Sequence, residues 1–175
     1  IGAHVEQTDP IAEAAARGTT LVQFFLGDPQ GYKGPEVRFD GGAAALRAAA
    51  LTGPDVPIAR LQYGAYLSRN GMFDQALEQL NAATELDPDD PVIHGELGIA
   101  YALKGDFKNA GTAMENALER AIDDSWTRVL LGLVYLQEGE IELSAEQLLQ
   151  AAEERPEDAE AQVLAALAAA AGWAD

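Results

Sequence analysis

Gly64, Gly98 and Gly132 stand 34 residues apart, and Gly71, Gly105 and Gly139 keep the same interval. Two glycine series in one register divide the chain into segments that align without a gap: residues 57–90, 91–124 and 125–158. Leu67, Tyr101 and Tyr135 share one position of that alignment, and Phe73, Phe107 and Ile141 another. Ala76, Ala110 and Ser144 share a third, and Ala83, Ala117 and Ala151 a fourth. A fixed period between about 20 and 50 residues means one supersecondary unit stacked on copies of itself, not a chain wrapped around a single centre.

Each recurring residue has a physical task. The first glycine series falls inside a helical pattern, where glycine costs about 1 kcal/mol relative to alanine. A cost repeated at three equivalent places implies that two helices approach closely there, with Ala76, Ala110 and Ser144 forming the opposing surface. The second series lies between two apolar-periodic stretches, as expected of a left-handed residue closing the first helix of each pair. Asp87-Pro88 and Arg155-Pro156 close the second helix, because the residue before proline avoids the α region. Ile122 replaces proline in the middle segment. Seven helices are therefore expected over residues 57–171.

These residues resemble the tetratricopeptide repeat (TPR) family. The resemblance implies a mainly α fold, an α-solenoid of helical hairpins with three full repeats and a half. The partial unit, residues 159–175, contributes a first helix carrying Val163, Leu164 and Leu167 on an alanine background. Gly172 arrives one residue early, so this helix is expected to act as a short cap or to mark a truncated array.

Residues 1–56 do not follow the period. They read as a short α/β segment: strands over 1–5 and 20–26, helices over 10–17 and 43–51, and a Gly/Pro/Asp-rich loop over 27–42. Ile1-Gly2-Ala3-His4-Val5, Asp9-Pro10 and Val22-Gln23-Phe24-Phe25-Leu26-Gly27-Asp28-Pro29-Gln30 resemble the opening of the endonuclease IV family. That resemblance extends to Lys33, Pro35 and Arg38 and fades near Pro57. It implies a TIM barrel and metal-dependent cleavage at apurinic sites. The family's third strand would lead to a stretch like His-Ala-Pro-Tyr holding a metal ligand, whereas here Ala59-Arg60-Leu61-Gln62 already begins the first repeat. The segment is expected to be truncated before the metal ligands, and no ligand role is carried over to His4.

Charge narrows the partners. The chain holds 11 basic and 29 acidic residues, a net charge of −18, and residues 58–175 account for 7 and 22 of these. A field of that sign repels phosphate backbones, so neither nucleic acid nor anionic membrane is an expected partner. With no cysteine, disulfides and thiolate metal sites are ruled out. No apolar run reaches the roughly 20 residues of a membrane span. Ile1 is not followed by a basic-then-apolar leader, and a cytoplasmic setting is the expectation.

No arrangement for nucleophilic catalysis, cofactor binding or metal binding emerges, so no enzyme activity and no cofactor are expected. His94 is read as a core residue. Asp87-Pro88-Asp89-Asp90 and Asp123-Asp124 precede helix starts, where aspartate caps free N–H groups and suits the helix dipole better than it holds a cation. The resemblance instead implies a binding groove lined by the first helix of each hairpin. Its expected lining is Leu61 and Ala65 from repeat one, Val92 and Ile99 from repeat two, and Trp126, Val129, Leu133 and Leu136 from repeat three. The lysine, asparagine and arginine that the family's carboxylate-clamp members use there are missing from these positions. An apolar lining implies an apolar or amphipathic polypeptide ligand, and hence a scaffold or adaptor. The occupant is left open between an outside partner, the chain's own N-terminal segment and a second copy forming a homo-oligomer. Two alternatives to the adaptor are an inactive fragment or fusion of an endonuclease IV-like nuclease, and a self-assembling structural module.

Overall fold

The computed structural model describes residues 42–121 and 124–172. The strands expected over 1–5 and 20–26, the helix over 10–17 and His4 lie outside the described residues. Within them there are eight helices and no strand. In chain order these are α1 (Gly42–Thr52), α2 (Pro57–Arg69), α3 (Phe73–Leu86), α4 (Pro91–Lys104), α5 (Phe107–Arg120), α6 (Ser125–Glu138), α7 (Ile141–Glu154) and α8 (Ala159–Gly172). Helices α2 to α8 are the seven that the period requires. The helix expected over 43–51 is α1, and it packs on α2 as a further layer of the stack.

Local chemistry explains where the helices begin. Pro57 and Pro91 occupy the first turns of α2 and α4, where a missing N–H costs nothing. Asp90 caps α4 by accepting from the Val92 N–H at 2.8 Å. Asp106 and Asp124 cap α5 and α6, each accepting from an N–H three residues on at 3.3 Å. Two of the aspartates read as caps therefore serve as caps; Asp123 lies outside the described residues.

The ends are equally regular. Gly71, Gly105 and Gly139 have φ of 74°, 87° and 83°, a region that L side chains avoid. After Gly105 the Asp106 N–H donates to the Tyr101 carbonyl at 2.9 Å, and the Gly105 N–H donates to Ala102 at 3.0 Å. This pair of bonds closes the last turn of α4 and throws the chain back into α5. The second helices stop one residue before Pro88 and Pro156, at Asp87 and Arg155.

The first glycine series sits at helix crossings. A methyl group built on Gly98 would lie 2.6 Å from Met114 Cγ and 3.2 Å from the Ala110 carbonyl oxygen. The same group on Gly64 would lie 2.7 Å from Leu80 Cγ, and on Gly132 it would lie 2.6 Å from Leu148 Cγ. The three backbone neighbours are Ala76, Ala110 and Ser144, the small residues assigned to the opposing surface.

The hairpins then stack. One apolar cluster joins Leu61, Leu77, Leu80, Ile93 and Leu97 across the first two repeats. A larger one runs from Ala102 and Met114 through Leu130, Leu133 and Leu148 to Leu164. Polar contacts repeat with the hairpins. His94, buried as expected, donates from Nε2 to the Pro88 carbonyl at 2.7 Å, and Arg60 at the equivalent position donates to the Pro54 carbonyl at 2.8 Å. Arg128, the third member of that series, is buried and pairs with Glu154 at 2.9 Å. Lys104 and Asp74 pair at 2.7 Å, which raises the lysine pKa.

Two predictions follow from this packing. Gly98→Leu should cost about 3 kcal/mol or more, because the crossing cannot open without moving backbone. Gly111→Ala should instead gain about 0.5–1 kcal/mol, since its methyl meets nothing closer than Val134 Cγ1 at 3.7 Å. Urea midpoints moving together would overturn this account of the glycines. The second concerns Tyr135, whose hydroxyl donates to Glu115 on α5. Burial first, then that carboxylate, raises the phenol's pKa. The phenol thus stays neutral in the folded chain beyond about pH 10, where it ionises in the unfolded chain. Its contribution to stability is complete below that pH and is lost as the pH climbs through the raised value. An alkaline absorbance titration should show one late-ionising phenol that Tyr135→Phe removes.

Candidate functional site

The first helices of the hairpins, α2, α4 and α6, present an apolar residue to solvent at their second position. Ile58, Val92 and Trp126 are 56%, 58% and 41% exposed. Proline immediately before Ile58 and Val92, and the aspartate cap two residues before Trp126, fix the helix starts and so the direction of each side chain. Large apolar groups left open at three equivalent positions form a line across the stack.

Between α4 and α6 that line deepens into a groove of about 630 Å³. Pro91, Val92, Gly95, Glu96 and Ile99 form its α4 wall, and Trp126 and Thr127 its α6 wall. Ala121 and Asp124, from the turn between α5 and α6, close one side. Gly95 leaves the floor open: a methyl group there would meet only Thr127 Oγ1, at 3.9 Å. The Thr127 hydroxyl is itself taken, donating to Asp124. Glu96 accepts from Arg69 Nη2 at 2.8 Å through Oε1, while its Oε2 is shut from solvent with no donor among the described residues.

This geometry corrects part of the expected lining. Val92 and Trp126 are exposed in the groove, and Ile99 lines it half-buried. Leu136 is half-buried but lies outside the groove. Leu61, Ala65, Val129 and Leu133 are buried in the core. The expectation treated packing within a hairpin as the only source of burial. In the stack each first helix is also flanked by the hairpins before and after it. Val129 and Leu133 consequently join a cluster that takes Ala102 from α4 and Leu164 and Ala165 from α8. Leu61 shares a cluster with Ile93 and Leu97 of the next repeat.

Glu96 and Asp124 are groove residues that sequence reasoning missed. Asp124 was legible only as a cap, and Glu96 is a charged residue set between the apolar positions Val92 and Ile99 of the expected lining. The signal available for Glu96 was its place on α4 one turn before Ile99 and one turn after Val92. Among the described residues no group of three or more His, Asp or Glu side chains is arranged to hold a metal ion. Nor is any helix among them long and apolar enough to cross a membrane.

Comparison with known proteins agrees with this architecture. Residues 67–105 match the TPR repeat family, and residues 129–172 match the tetratricopeptide repeat family. The chain superposes on the crystal structure of MamA with a TM-score of 0.68 at 24% identity, covering 74% of this chain and 71% of that one. It superposes on YrrB, a TPR protein with an unusual peptide-binding site, with a TM-score of 0.66 at 24% identity, covering 73% and 66%. The first TPR of Spaghetti (RPAP3), bound to the HSP90 peptide SRMEEVD, gives a TM-score of 0.63 at 17% identity, covering 66% and 91%. These likenesses concern the fold. Separately, 51 residues are 57% identical to Probable endonuclease 4 of Mycobacterium tuberculosis and of Mycobacterium bovis. That match takes in 29% of this chain and 19% of those relatives. It agrees with the resemblance borne by the opening residues.

Burial separates two substitutions at positions first grouped together. Leu133→Glu should unfold the array or cost several kcal/mol, because it places a carboxylate where no solvent reaches, at roughly 3 kcal/mol or more. Trp126→Ala should leave the urea midpoint within about 1 kcal/mol, as a half-exposed side chain leaves no closed cavity. Equal losses would mean that Trp126 belongs to the core.

Proposed function

We propose that this chain, whose helical array consists of tetratricopeptide repeats, is a non-enzymatic scaffold that holds a polypeptide segment in the groove between α4 and α6. The observation that carries this reading is the exposed apolar line of Ile58, Val92 and Trp126 opening into a groove of about 630 Å³. Exposed apolar surface of this kind marks interaction sites on proteins with polar surroundings. Trp126 offers the largest area and an N–H handle, the usual character of an anchoring residue. Burying a few such side chains at about 1.5–3 kcal/mol each leaves a margin for micromolar binding after the cost of association. Two structural neighbours support a peptide as ligand, since YrrB has a peptide-binding site and the RPAP3 domain is bound to an HSP90 peptide.

A second reading rests on the stretch that is 57% identical to Probable endonuclease 4. In it, the opening segment descends from a nuclease whose activity belongs to a complete barrel. A scaffold should capture apolar or amphipathic peptides and lose them in Gly95→Leu, which fills the groove floor, and in Trp126→Ala. Both variants should keep the parent's urea midpoint within about 1 kcal/mol. Capture that survives both places the binding surface elsewhere. Metal-dependent cleavage of abasic DNA that a chelator abolishes would favour the nuclease.

A further inference from the structure

The groove between α4 and α6 contains more than apolar surface, and its charge is one-sided. Among the described residues its lining includes two carboxylates, Glu96 and Asp124, and no lysine, arginine or histidine. We infer that its ligand is a cationic amphipathic polypeptide segment, one whose lysine or arginine reaches Glu96 and Asp124 while its apolar face lies on Val92, Ile99 and Trp126. This inference rests on the scaffold reading and names the chemistry of its partner.

Three features support a cation. Glu96 keeps 18% of its side chain exposed, and Arg69 reaches one of its oxygens from the α2 side. The other oxygen, Oε2, has no donor among the described residues. A carboxylate oxygen enclosed without a donor is unfavourable, and an arriving ammonium or guanidinium relieves that cost. Glu96 lines the groove, and the terminal torsion of a glutamate is broad, so its carboxylate can turn without leaving a rotamer well. Second, Asp124 uses its carboxylate to cap α6 yet remains exposed, so it adds negative potential beside Trp126. Third, Trp126 is a suitable neighbour for a cation: the indole face attracts positive charge, and the aliphatic stem of a lysine or arginine packs on it. An acidic peptide such as the SRMEEVD held by the RPAP3 domain would meet a field of its own sign here. The whole chain's charge of −18 attracts the same ligands from a distance and raises their rate of encounter.

Diffuse attraction and a built site predict different responses, so the test separates them. The probe is a synthetic leucine–lysine amphipathic peptide, with two counterparts in which glutamine or glutamate replaces every lysine. The readout is Trp126 fluorescence in the full chain carrying Trp173→Phe, which leaves one of the two tryptophans. The lysine peptide should bind saturably, at least about tenfold more tightly than the glutamine peptide, and the glutamate peptide should not bind. Glu96→Gln with Asp124→Asn should remove about that tenfold preference; asparagine still caps a helix and glutamine still accepts from Arg69. The control, Glu142→Gln with Glu153→Gln, removes two exposed charges from α7, which does not line the groove, and should preserve the preference. Equal binding of the lysine and glutamine peptides overturns the inference and leaves the scaffold reading standing on apolar contact. An equal loss in the control pair overturns it in favour of diffuse attraction. If no peptide binds, the inference fails, and capture by the parent chain against Gly95→Leu decides the scaffold reading separately.

Discussion

The close approach of two helices at a glycine is the constraint on which the rest of this structure depends. At Gly98 the α4 backbone lies so near Met114 and the Ala110 carbonyl that a single methyl group does not fit. Gly64 and Gly132 repeat the arrangement in the neighbouring hairpins. With the crossing point fixed, side chains on either side of it can meet only in one register. The large residue from the second helix, Leu80, Met114 or Leu148, fills the space that glycine leaves, and each of these three is fully buried. Glycine's unfavourable helix propensity is thereby offset by the burial of a large side chain against backbone.

Everything that ends a helix serves this crossing. The left-handed glycines at 71, 105 and 139 return the chain immediately, so the second helix starts close enough to lie against the first. The aspartate caps and the prolines at helix starts set where the following hairpin begins. A repeat array has no single centre, and its stability is approximately a sum of unit terms and contacts between neighbours. That makes the contacts between hairpins, such as Arg69 with Glu96 and Lys104 with Asp74, responsible for the alignment of the stack. The pair within the third hairpin, Arg128 with Glu154, differs in exposure: Arg128 is buried, while Arg69 reaches through solvent. A partly exposed pair contributes less to stability than a buried hydrogen-bonded one loses when broken.

Much of the fold was legible because it depends on residues that no other residue can replace. A positive φ calls for glycine, and a crossing at that distance excludes a Cβ. The proline boundaries and the aspartate caps are similarly local, so helix ends could be placed within a residue or two. The groove was less legible. Leu61, Val129 and Leu133 occupy the same helix face as Val92 and Trp126, and nothing within one repeat distinguishes them. What separates them is the neighbouring hairpin, a contact between residues far apart in sequence. Val92 and Trp126 escape it because they lie at the beginning of their helices, beyond the cover of the adjacent layers. Glu96 was missed for a related reason, since its place in the groove involves Arg69 from the preceding hairpin and a wall formed by Trp126 of the next.

The groove's position between two repeats has an energetic consequence. A segment lying on Val92 and Ile99 of α4 and on Trp126 of α6 touches two hairpins at once, so its binding adds to the contact between neighbouring units. Anything that binds the folded array and not the unfolded chain stabilises it in proportion to how far it saturates the site. In a stack governed by neighbour contacts, that stabilisation falls first on the interface that the ligand spans. Glu96 lies within that interface, joined by Arg69 to the hairpin before it and lining the groove that faces the hairpin after it. On the proposed reading, a cation at its second oxygen would extend the Arg69–Glu96 contact from α2 through α4 toward α6. Binding at the proposed site would therefore support the alignment of successive hairpins and couple recognition to the rigidity of the array.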